Sequence, residues 1–379
     1  MKIAIIDADL IGIRKHRFPN LACMKISSYY KQNGNEVELK TNYEDLDQYD
    51  KVFISKVFTD TPVPDHVLHL PNVEYGGTGF YYDKAPKLPD EIEHIMPDYH
   101  LYDAWVNEKL QNGGKPKDYT YYLDYSIGFL TRGCFRQCAF CVNKNYTKCE
   151  IHSPIDEFLD PSRNKICFLD DNFFACPQWK DIIEQVKATG KKFQFKQGLD
   201  ERLLTDEKSK EIMSWKYDGD YIFAFDNIED KDIIEQKAKL IRKYNKNARH
   251  DIKFYVLCGF DRNGKYDDAF WEQDINDLFE RIFILAKYNF SPYIMRYEKY
   301  KLSPFYGTYV NVARWCNQPS FFHNLSYEQF CDKNDLLKCG GKRTSSTWKY
   351  YQQLKDLNAD CVKYFNIIPK ETRLNYQDW

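Results

Sequence analysis

The sequence has no long apolar run, no internal repeat and almost no net charge. None of its hydrophobic stretches approaches the roughly 18 residues that a membrane span needs. Lysine and arginine total 54 against 56 aspartates and glutamates, so the formal charge is −2. This balance gives no reason to expect a general nucleic-acid or membrane-surface binder. Acidic residues also come too early at the N-terminus for a secretory signal, and we expect a cytoplasmic globular protein.

Cysteine is too sparse for a disulfide-stapled scaffold. The chain has 12 cysteines in 379 residues, whereas disulfide-rich secreted chains contain roughly 8–10% cysteine. Three of the cysteines are crowded between residues 134 and 141, and the other nine are scattered. In a chain without an export signal, such crowding is typical of metal binding or of reactive thiols.

The length predicts roughly two or three domains, and the first of them has an α/β pattern. Short apolar runs predict strands at 3–7, 36–40, 51–56 and 73–75, with a helix over 20–33. Alternating strands and helices favour a parallel sheet. We therefore predict a small Rossmann-like domain over 1–95 and a loop-rich linker over 96–124.

The second half repeats a strand-then-helix pattern six times. Strands are predicted at 125–131, 165–169, 192–196, 221–225, 252–257 and 292–297. Helices are predicted near 177–190, 205–215, 231–244 and 269–288. Six such units form a parallel barrel or part of one, which gives a core over 125–302. The segment 303–379 is predicted to be a mainly helical extension.

The crowded cysteines lie directly after the first of these six strands. A parallel barrel places its reactive loops at that end of its strands. Structural zinc uses four closed ligands, and an electron-carrying iron–sulfur cluster usually has four cysteines. Cys134, Cys138 and Cys141 are only three, so one position of a shared metal centre would stay open to a substrate or cofactor.

This segment resembles the signature of the radical S-adenosylmethionine (radical SAM) superfamily. In that signature three cysteines are separated by three and then two residues, commonly with an aromatic residue before the last. Cys134, Cys138 and Cys141 match this spacing, and Phe140 is the aromatic residue. The resemblance covers roughly residues 125 to 300 and implies a partial (β/α)6 barrel.

The resemblance also implies a cofactor chemistry. The three cysteines would hold a 4Fe–4S cluster whose fourth iron is chelated by the amino and carboxylate groups of S-adenosylmethionine (SAM). Reduction of the cluster would cleave the sulfonium and give a 5′-deoxyadenosyl radical, which abstracts hydrogen from the substrate. Phe140 would lie at the cofactor site.

The same cysteines are also compatible with two other kinds of metal centre. A zinc site could recruit Cys149 or His152 as its fourth ligand. A ferredoxin-like cluster could use Cys149 or Cys167 instead, since the plant-type spacing differs by only one position. Either would make the chain a non-catalytic electron carrier or a zinc-stabilised binding protein.

The resemblance further implies which residues bind the methionine amino group of SAM. The family often has a glycine-glycine-glutamate turn after its second strand. Asp170, Asp171 and Asn172 occupy that position here, so the match is one of position and charge. A carboxylate would bind an ammonium group through a charge-assisted hydrogen bond. The alternative is an exposed turn that caps the next helix.

Three residues after later strands are implied to complete the SAM site. Arg202 would bind the SAM carboxylate, Asp226 the ribose, and Gly259 would lie beside the adenine. The corresponding alternatives are a surface ion pair of Arg202 with Glu201 or Asp206, a helix cap at Asp226 and a plain turn at Gly259.

The N-terminal domain resembles the cobalamin-binding domain that precedes many radical SAM cores. The similarity lies in Asp7-x-Asp9-x-x-Gly12 and in the later Gly76-Gly77 pair. Asp9 stands where the family's lower-ligand histidine would be, and a carboxylate is a poor replacement for imidazole on a soft transition metal. Cobalamin is therefore an open alternative that is not favoured over a role in substrate recognition or packing.

The remaining expectations concern partners and the tail. The domain layout favours methyl transfer to a small molecule or peptide, with a reductant such as flavodoxin or ferredoxin. No membrane or nucleic-acid partner is indicated. Cys316, Cys331, Cys339 and Cys361 are widely spaced, so packed free thiols are favoured over an auxiliary cluster.

Overall fold

The computed structural model describes residues 1–245 and 251–375, which divide into two compact units. The first is Met1–Gln197 with Lys216–Asp218, and the second is Gly198–Trp215 with the chain from Gly219 onward. The mixed α/β class with parallel sheets is confirmed. Residues 246–250 of the predicted core and 376–379 of the predicted extension lie outside the described residues. The predicted domain limits stay a prediction.

The first unit opens with a four-stranded parallel sheet. Its strands are β1 (Lys2–Asp7), β2 (Glu36–Leu39), β3 (Lys51–Ser55) and β4 (Val73–Gly76), in the order β2-β1-β3-β4. Successive side chains of β1 point to opposite faces, and both faces are buried. Ile3 and Ile5 lie in one apolar cluster, whereas Ala4 and Ile6 lie in another. The sheet is therefore covered on both sides, as parallel sheets usually are.

Eight helices accompany the sheets among the described residues of the first unit. They are α1 (Ala8–Gly12), α2 (Leu21–Gln32), α3 (Asp65–Leu68), α4 (Thr78–Tyr81), α5 (Asp90–Glu93), α6 (Asp103–Gln111), α7 (Thr120–Leu123) and α8 (Trp179–Ala188). Helix α2 begins where the Asn20 side chain accepts a hydrogen bond from the Cys23 N–H. The segment 96–124 contains α6 and α7, and it packs Tyr102, Val106 and Tyr122 into the same cluster as Ile3.

A second sheet in this unit carries the region of the cysteines. Strands β5 (Tyr125–Gly128), β8 (Lys165–Phe168) and β9 (Lys192–Phe195) are parallel in the order β5-β8-β9. Between β5 and β8 the chain forms a short antiparallel ribbon of β6 (Thr131–Arg132) and β7 (Glu150–Ile151). The prediction of one strand over 125–131 is wrong in extent. The chain leaves the sheet after Gly128, where a Cβ would lie 2.3 Å from the Phe158 ring.

The second unit has a three-stranded parallel sheet and a helical tail. Its strands are β10 (Tyr221–Ala224), β11 (Ile252–Cys258) and β12 (Ser291–Arg296), in that order. Its helices are α9 (Asp206–Ile212), α10 (Lys231–Tyr244), α11 (Asp268–Lys287), α12 (Tyr306–Cys316), α13 (Pro319–Phe322), α14 (Tyr327–Cys339) and α15 (Ser346–Asp356). All six strands predicted between 125 and 297 are present, three in each unit. Among the described residues, no helix combines the length and apolar character needed to cross a bilayer.

Candidate metal centre

The three crowded cysteines lie in one loop that is closed at its base. Thr131 pairs with Ile151 and Arg132 with Glu150, so residues 133–149 leave and return at the same place; we call them the cysteine loop. Gly133 begins the loop with φ +100°, and a Cβ there would lie 2.2 Å from the Lys148 carbonyl oxygen. Only glycine tolerates both this dihedral angle and this close approach.

The three cysteines are half-buried and form no disulfide, and backbone N–H groups point at two of their sulfurs. The Arg136 N–H donates to Cys134 Sγ at 3.4 Å, and the Asn143 N–H donates to Cys141 Sγ at 3.4 Å. Burial raises the pKa of the Cys141 thiol, and the Asn143 N–H opposes that rise. Hydrogen bonds of this kind favour the thiolate, which is the form that binds metal.

Two further contacts hold the middle of the loop. The Lys144 ammonium group donates to the carbonyl oxygen of Cys138. The hydroxyl of Tyr82 donates to the Phe140 carbonyl oxygen at 3.1 Å. Phe140 therefore lies in the loop as the sequence requires, and its main chain is fixed by a residue of the N-terminal segment.

Asp170 anchors the chain that enters the cysteine loop. It lies two residues after the end of β8 and is fully buried. Its carboxylate accepts hydrogen bonds from the Leu130 N–H at 3.0 Å, the Thr131 N–H at 2.8 Å and the Thr131 hydroxyl at 2.6 Å. Burial raises the pKa of Asp170 to about 7 against the opposing effect of these donors. The role of Asp170 in SAM binding stays a prediction.

Asp171 and Asn172 also hold the cysteine loop, each at a residue further along the chain than those bound by Asp170. Asp171 Oδ2 accepts from the Gly133 N–H at 2.7 Å, and Asn172 Nδ2 donates to Cys134 Sγ at 3.4 Å. We call residues 170–172 the acidic turn. The alternative of an exposed helix cap is wrong, because Asp170 and Asn172 are buried and the Asn172 side chain makes no capping bond.

The candidate fourth ligands lie in three different surroundings. Cys149 is buried beside Thr131 and Cys176, and burial raises the pKa of its thiol to about 12. Cys167 lies within β8, and its burial likewise raises the pKa of its thiol to about 12. Both thiols are thus held in their neutral form, which is a weak metal ligand.

His152 lies in a cluster of ionisable side chains. Its ring stacks on His94 with centroids 5.0 Å apart, and its Nε2 lies 3.5 Å from Glu93 Oε1. Glu93 in turn pairs with Lys25 at 2.8 Å. Burial lowers the pKa of His152 to about 4, so the imidazole is neutral at pH 7.

Whether the cysteine loop suits an iron–sulfur cluster depends on its sulfur ligands and on the hydrogen-bond donors around them. Within residues 1–245 and 251–375, no three His, Cys, Asp or Glu side chains converge closely enough to hold a single metal ion. Cys134, Cys138 and Cys141 are among these side chains, so this finding does not distinguish a zinc ion from a cluster. Iron–sulfur clusters are held by thiolates and tuned by hydrogen bonds to their sulfurs, and the cysteine loop supplies both.

Arg202, in the second unit, is engaged by carboxylates. Its Nε lies 3.0 Å from Asp200 Oδ1 and 3.6 Å from Glu201 Oε1, and its Nη1 lies 3.3 Å from Asp230 Oδ2. Glu201 is thus one neighbour of Arg202, as one alternative expected, but Glu201 is buried and the pair does not lie on the surface. The alternative partner Asp206 pairs with a lysine of α10 instead.

Asp226 and Gly259 follow β10 and β11 in the same unit. Asp226 Oδ1 accepts from the Leu257 N–H at 3.1 Å, so it links the ends of two strands, and the alternative of a helix cap is wrong. Gly259 has φ +75°, and a Cβ there would lie 3.0 Å from Tyr300 Cβ. Glycine is therefore required by the turn itself, which is the alternative considered for this position.

The two acidic side chains of the N-terminal motif are buried inside the protein. Asp9 is buried; its Oδ2 accepts from the Val57 N–H at 2.7 Å and its Oδ1 from the Thr61 hydroxyl at 2.5 Å. The residue at the position of the cobalamin ligand thus holds the loop after β3. Asp7 is also buried, and burial raises its pKa to about 7.

Several groups that form the site could not be recognised from the sequence. The N–H groups of Arg136 and Asn143 are backbone donors, which any residue type could supply. The Gly133–Lys148 approach depends on the ribbon register, although a glycine directly before the first cysteine could have drawn attention to it.

The comparisons with known proteins assign no family. No protein-family model matches the chain, and no curated protein matches it. The chemistry is therefore argued from the cysteine loop and its surroundings.

Proposed function

We propose that this chain is a radical SAM enzyme. The observation that carries the proposal is the cysteine loop itself, a single closed loop with three half-buried thiols at the superfamily's spacing. The loop is attached to the carboxyl end of a parallel strand by the acidic turn, as a ligand site in an α/β sheet would be. The six parallel strands are proposed to form the partial barrel of this superfamily.

In this proposal Cys134, Cys138 and Cys141 hold a 4Fe–4S cluster, with SAM at the open iron. When bound and reduced, such a cluster supplies the electron that cleaves SAM to methionine and a 5′-deoxyadenosyl radical. The protein's part is to hold the thiolates, and the N–H groups directed at Cys134 and Cys141 lower the energy of their negative charge.

The acidic turn has a positioning role in this proposal. Asp170 fixes the entry to the loop, Asp171 fixes Gly133, and Asn172 fixes the Cys134 side chain. Asp171 is only half-buried, so of the two carboxylates in the turn it is the one better able to meet the amino group of SAM. Arg202, Asp226 and Gly259 keep the roles implied by the resemblance.

The remaining parts of the proposal concern partners. A small molecule or peptide is proposed as substrate, methyl transfer as the outcome, flavodoxin or ferredoxin as reductant and the cytoplasm as location. Cobalamin is not favoured, because both oxygens of Asp9 are engaged by Val57 and Thr61.

The test is anaerobic reconstitution of the full chain with iron and sulfide, followed by dithionite and SAM. We expect a 4Fe–4S absorption and release of 5′-deoxyadenosine. Cys138→Ala should lose the cluster, whereas Cys149→Ala should keep both the cluster and SAM cleavage. Circular dichroism should show that both variants remain folded.

The competing functions give different results in the same experiment. A four-cysteine electron carrier or zinc site that uses Cys149 predicts metal loss in Cys149→Ala. A wild-type chain that holds a cluster but releases no 5′-deoxyadenosine would be an electron carrier, and a colourless zinc protein would reject the proposal.

A further inference from the structure

A cavity of about 540 Å³ lies in the first unit and involves none of the cysteine loop. Its wall is formed by residues that follow β1, by Thr41 after β2, and by side chains of and after α6. The first two of these groups lie beyond the carboxyl ends of β1 and β2, which are neighbours in the sheet order β2-β1-β3-β4. Ligands of parallel α/β sheets bind outside the carboxyl ends of the strands, and the volume is that of a small-molecule site.

Part of the charge around the cavity is internally balanced. Arg17 pairs with Asp118 at 3.2 Å, and Lys109 lies 3.5 Å from the Glu108 carboxylate. These two pairs supply two positive and two negative charges. They leave no net charge for a ligand.

Arg14 and Lys15 provide an excess of positive charge. Both line the cavity and are exposed, and neither forms an ion pair in the part of the chain that the structure describes. The neighbouring His16 adds no charge at pH 7, since burial lowers its pKa to about 4. Adjacent arginine and lysine side chains without a carboxylate partner suit a phosphate group, which arginine binds through two parallel hydrogen bonds.

Two aromatic rings form another part of the wall. Trp105 and Tyr119 are half-buried, with ring centroids 5.7 Å apart and planes at 80°. Rings of this kind give a flat heterocycle a large contact area at little cost in conformational entropy. The cavity therefore offers a surface for a ring as well as for an anion.

We propose that this cavity binds a nucleotide, with its phosphates at Arg14 and Lys15 and its base against Trp105 and Tyr119. The argument uses only residues of the first unit that lie outside the cysteine loop. It stands whether or not the cysteine loop holds a cluster.

The test is calorimetric titration of the full chain with ADP. The double substitution Arg14→Ala/Lys15→Ala should weaken ADP binding about tenfold or more, because it removes two charge-assisted contacts. The matched control is Arg262→Ala/Lys265→Ala, an exposed pair in the second unit, which should change the affinity by less than about twofold. Lack of ADP binding to the wild type at millimolar concentration, or an equal loss in both variants, would overturn the proposal.

A second comparison tests the role of the rings. ADP should bind about tenfold more tightly than inorganic pyrophosphate, and Trp105→Leu should reduce that ratio while pyrophosphate binding persists. Persisting pyrophosphate binding shows that the variant is folded. Equal wild-type affinities for ADP and pyrophosphate would overturn the assignment to a nucleotide, and that result needs no variant.

Discussion

The sharpest prediction concerns Gly133, where the cysteine loop begins. Replacing Gly133 by alanine adds a Cβ that would lie 2.2 Å from the Lys148 carbonyl oxygen and 2.9 Å from Tyr146 Cβ. Neither the dihedral angle nor the backbone oxygen can be changed by a side-chain rotation. Gly34 is the matched control, because it has φ +73° but nothing within 4 Å of the place that an alanine methyl group would take.

The two substitutions separate the cost of the dihedral angle from the cost of the contact. Alanine at positive φ costs about 1–2 kcal/mol, which applies to both variants. The contact at Gly133 adds an overpacking cost of about 1–3 kcal/mol. We therefore expect Gly133→Ala to destabilise the loop by about 2–5 kcal/mol.

The assay has to detect both global and local opening, since the ribbon beneath the loop is only two residues long on each side. Urea unfolding followed by tryptophan fluorescence gives the global free energy of unfolding. Reaction with Ellman's reagent reports local opening, and the half-buried thiols should react about tenfold or more faster in Gly133→Ala than in Gly34→Ala. Equal stability and equal thiol reactivity of the two variants would refute the steric argument.

Three further predictions concern pH, redox tuning and the helical tail. Burial raises the pKa of Asp7 and Asp170 to about 7, so the unfolded chain binds fewer protons between pH 4 and 7. The free energy of unfolding should therefore fall as pH rises through this range, by up to about 4 kcal/mol per group. It should fall less steeply in Asp170→Asn than in the wild type. Urea titrations that give the same slope of unfolding free energy against pH for both proteins would contradict this. Asn172→Leu removes the amide hydrogen bond to Cys134 and should lower the potential of a reconstituted cluster by roughly tens of millivolts, and an unchanged potential in an EPR redox titration would argue against that bond. Ser326→Ala breaks the capping box of α14 and should cost about 1 kcal/mol of stability without changing iron content; an unchanged melting temperature would show that the cap contributes nothing.

Regular elements could be predicted from local patterns. The helix predicted over 231–244 matches α10, and the apolar stripe of α8 is buried as expected at Trp179, Ile182, Ile183 and Val186. In both cases the information lies within one or two helical turns. The strands of the parallel sheets were found for the same reason, because short runs of apolar residues identify them.

The first strand before the cysteines shows where such patterns fail. Residues 125–131 are mostly apolar, yet the strand stops at Gly128. Phe158 occupies the space beside Gly128, and Asp170 takes the N–H groups of Leu130 and Thr131. These partners lie 30 and 40 residues further along the chain, so no window around the strand contains them.

What the sequence alone determined is the chemistry available: three thiols at a fixed spacing, parallel strands and a nearly neutral chain. What only the tertiary structure decided is the direction in which polar side chains point. Asp9 and Asp170 are buried and anchor loops, which neither position indicates in the sequence. The physical reason is that a carboxylate takes whichever donors the folded chain brings to it, and those donors belong to segments that are distant in sequence.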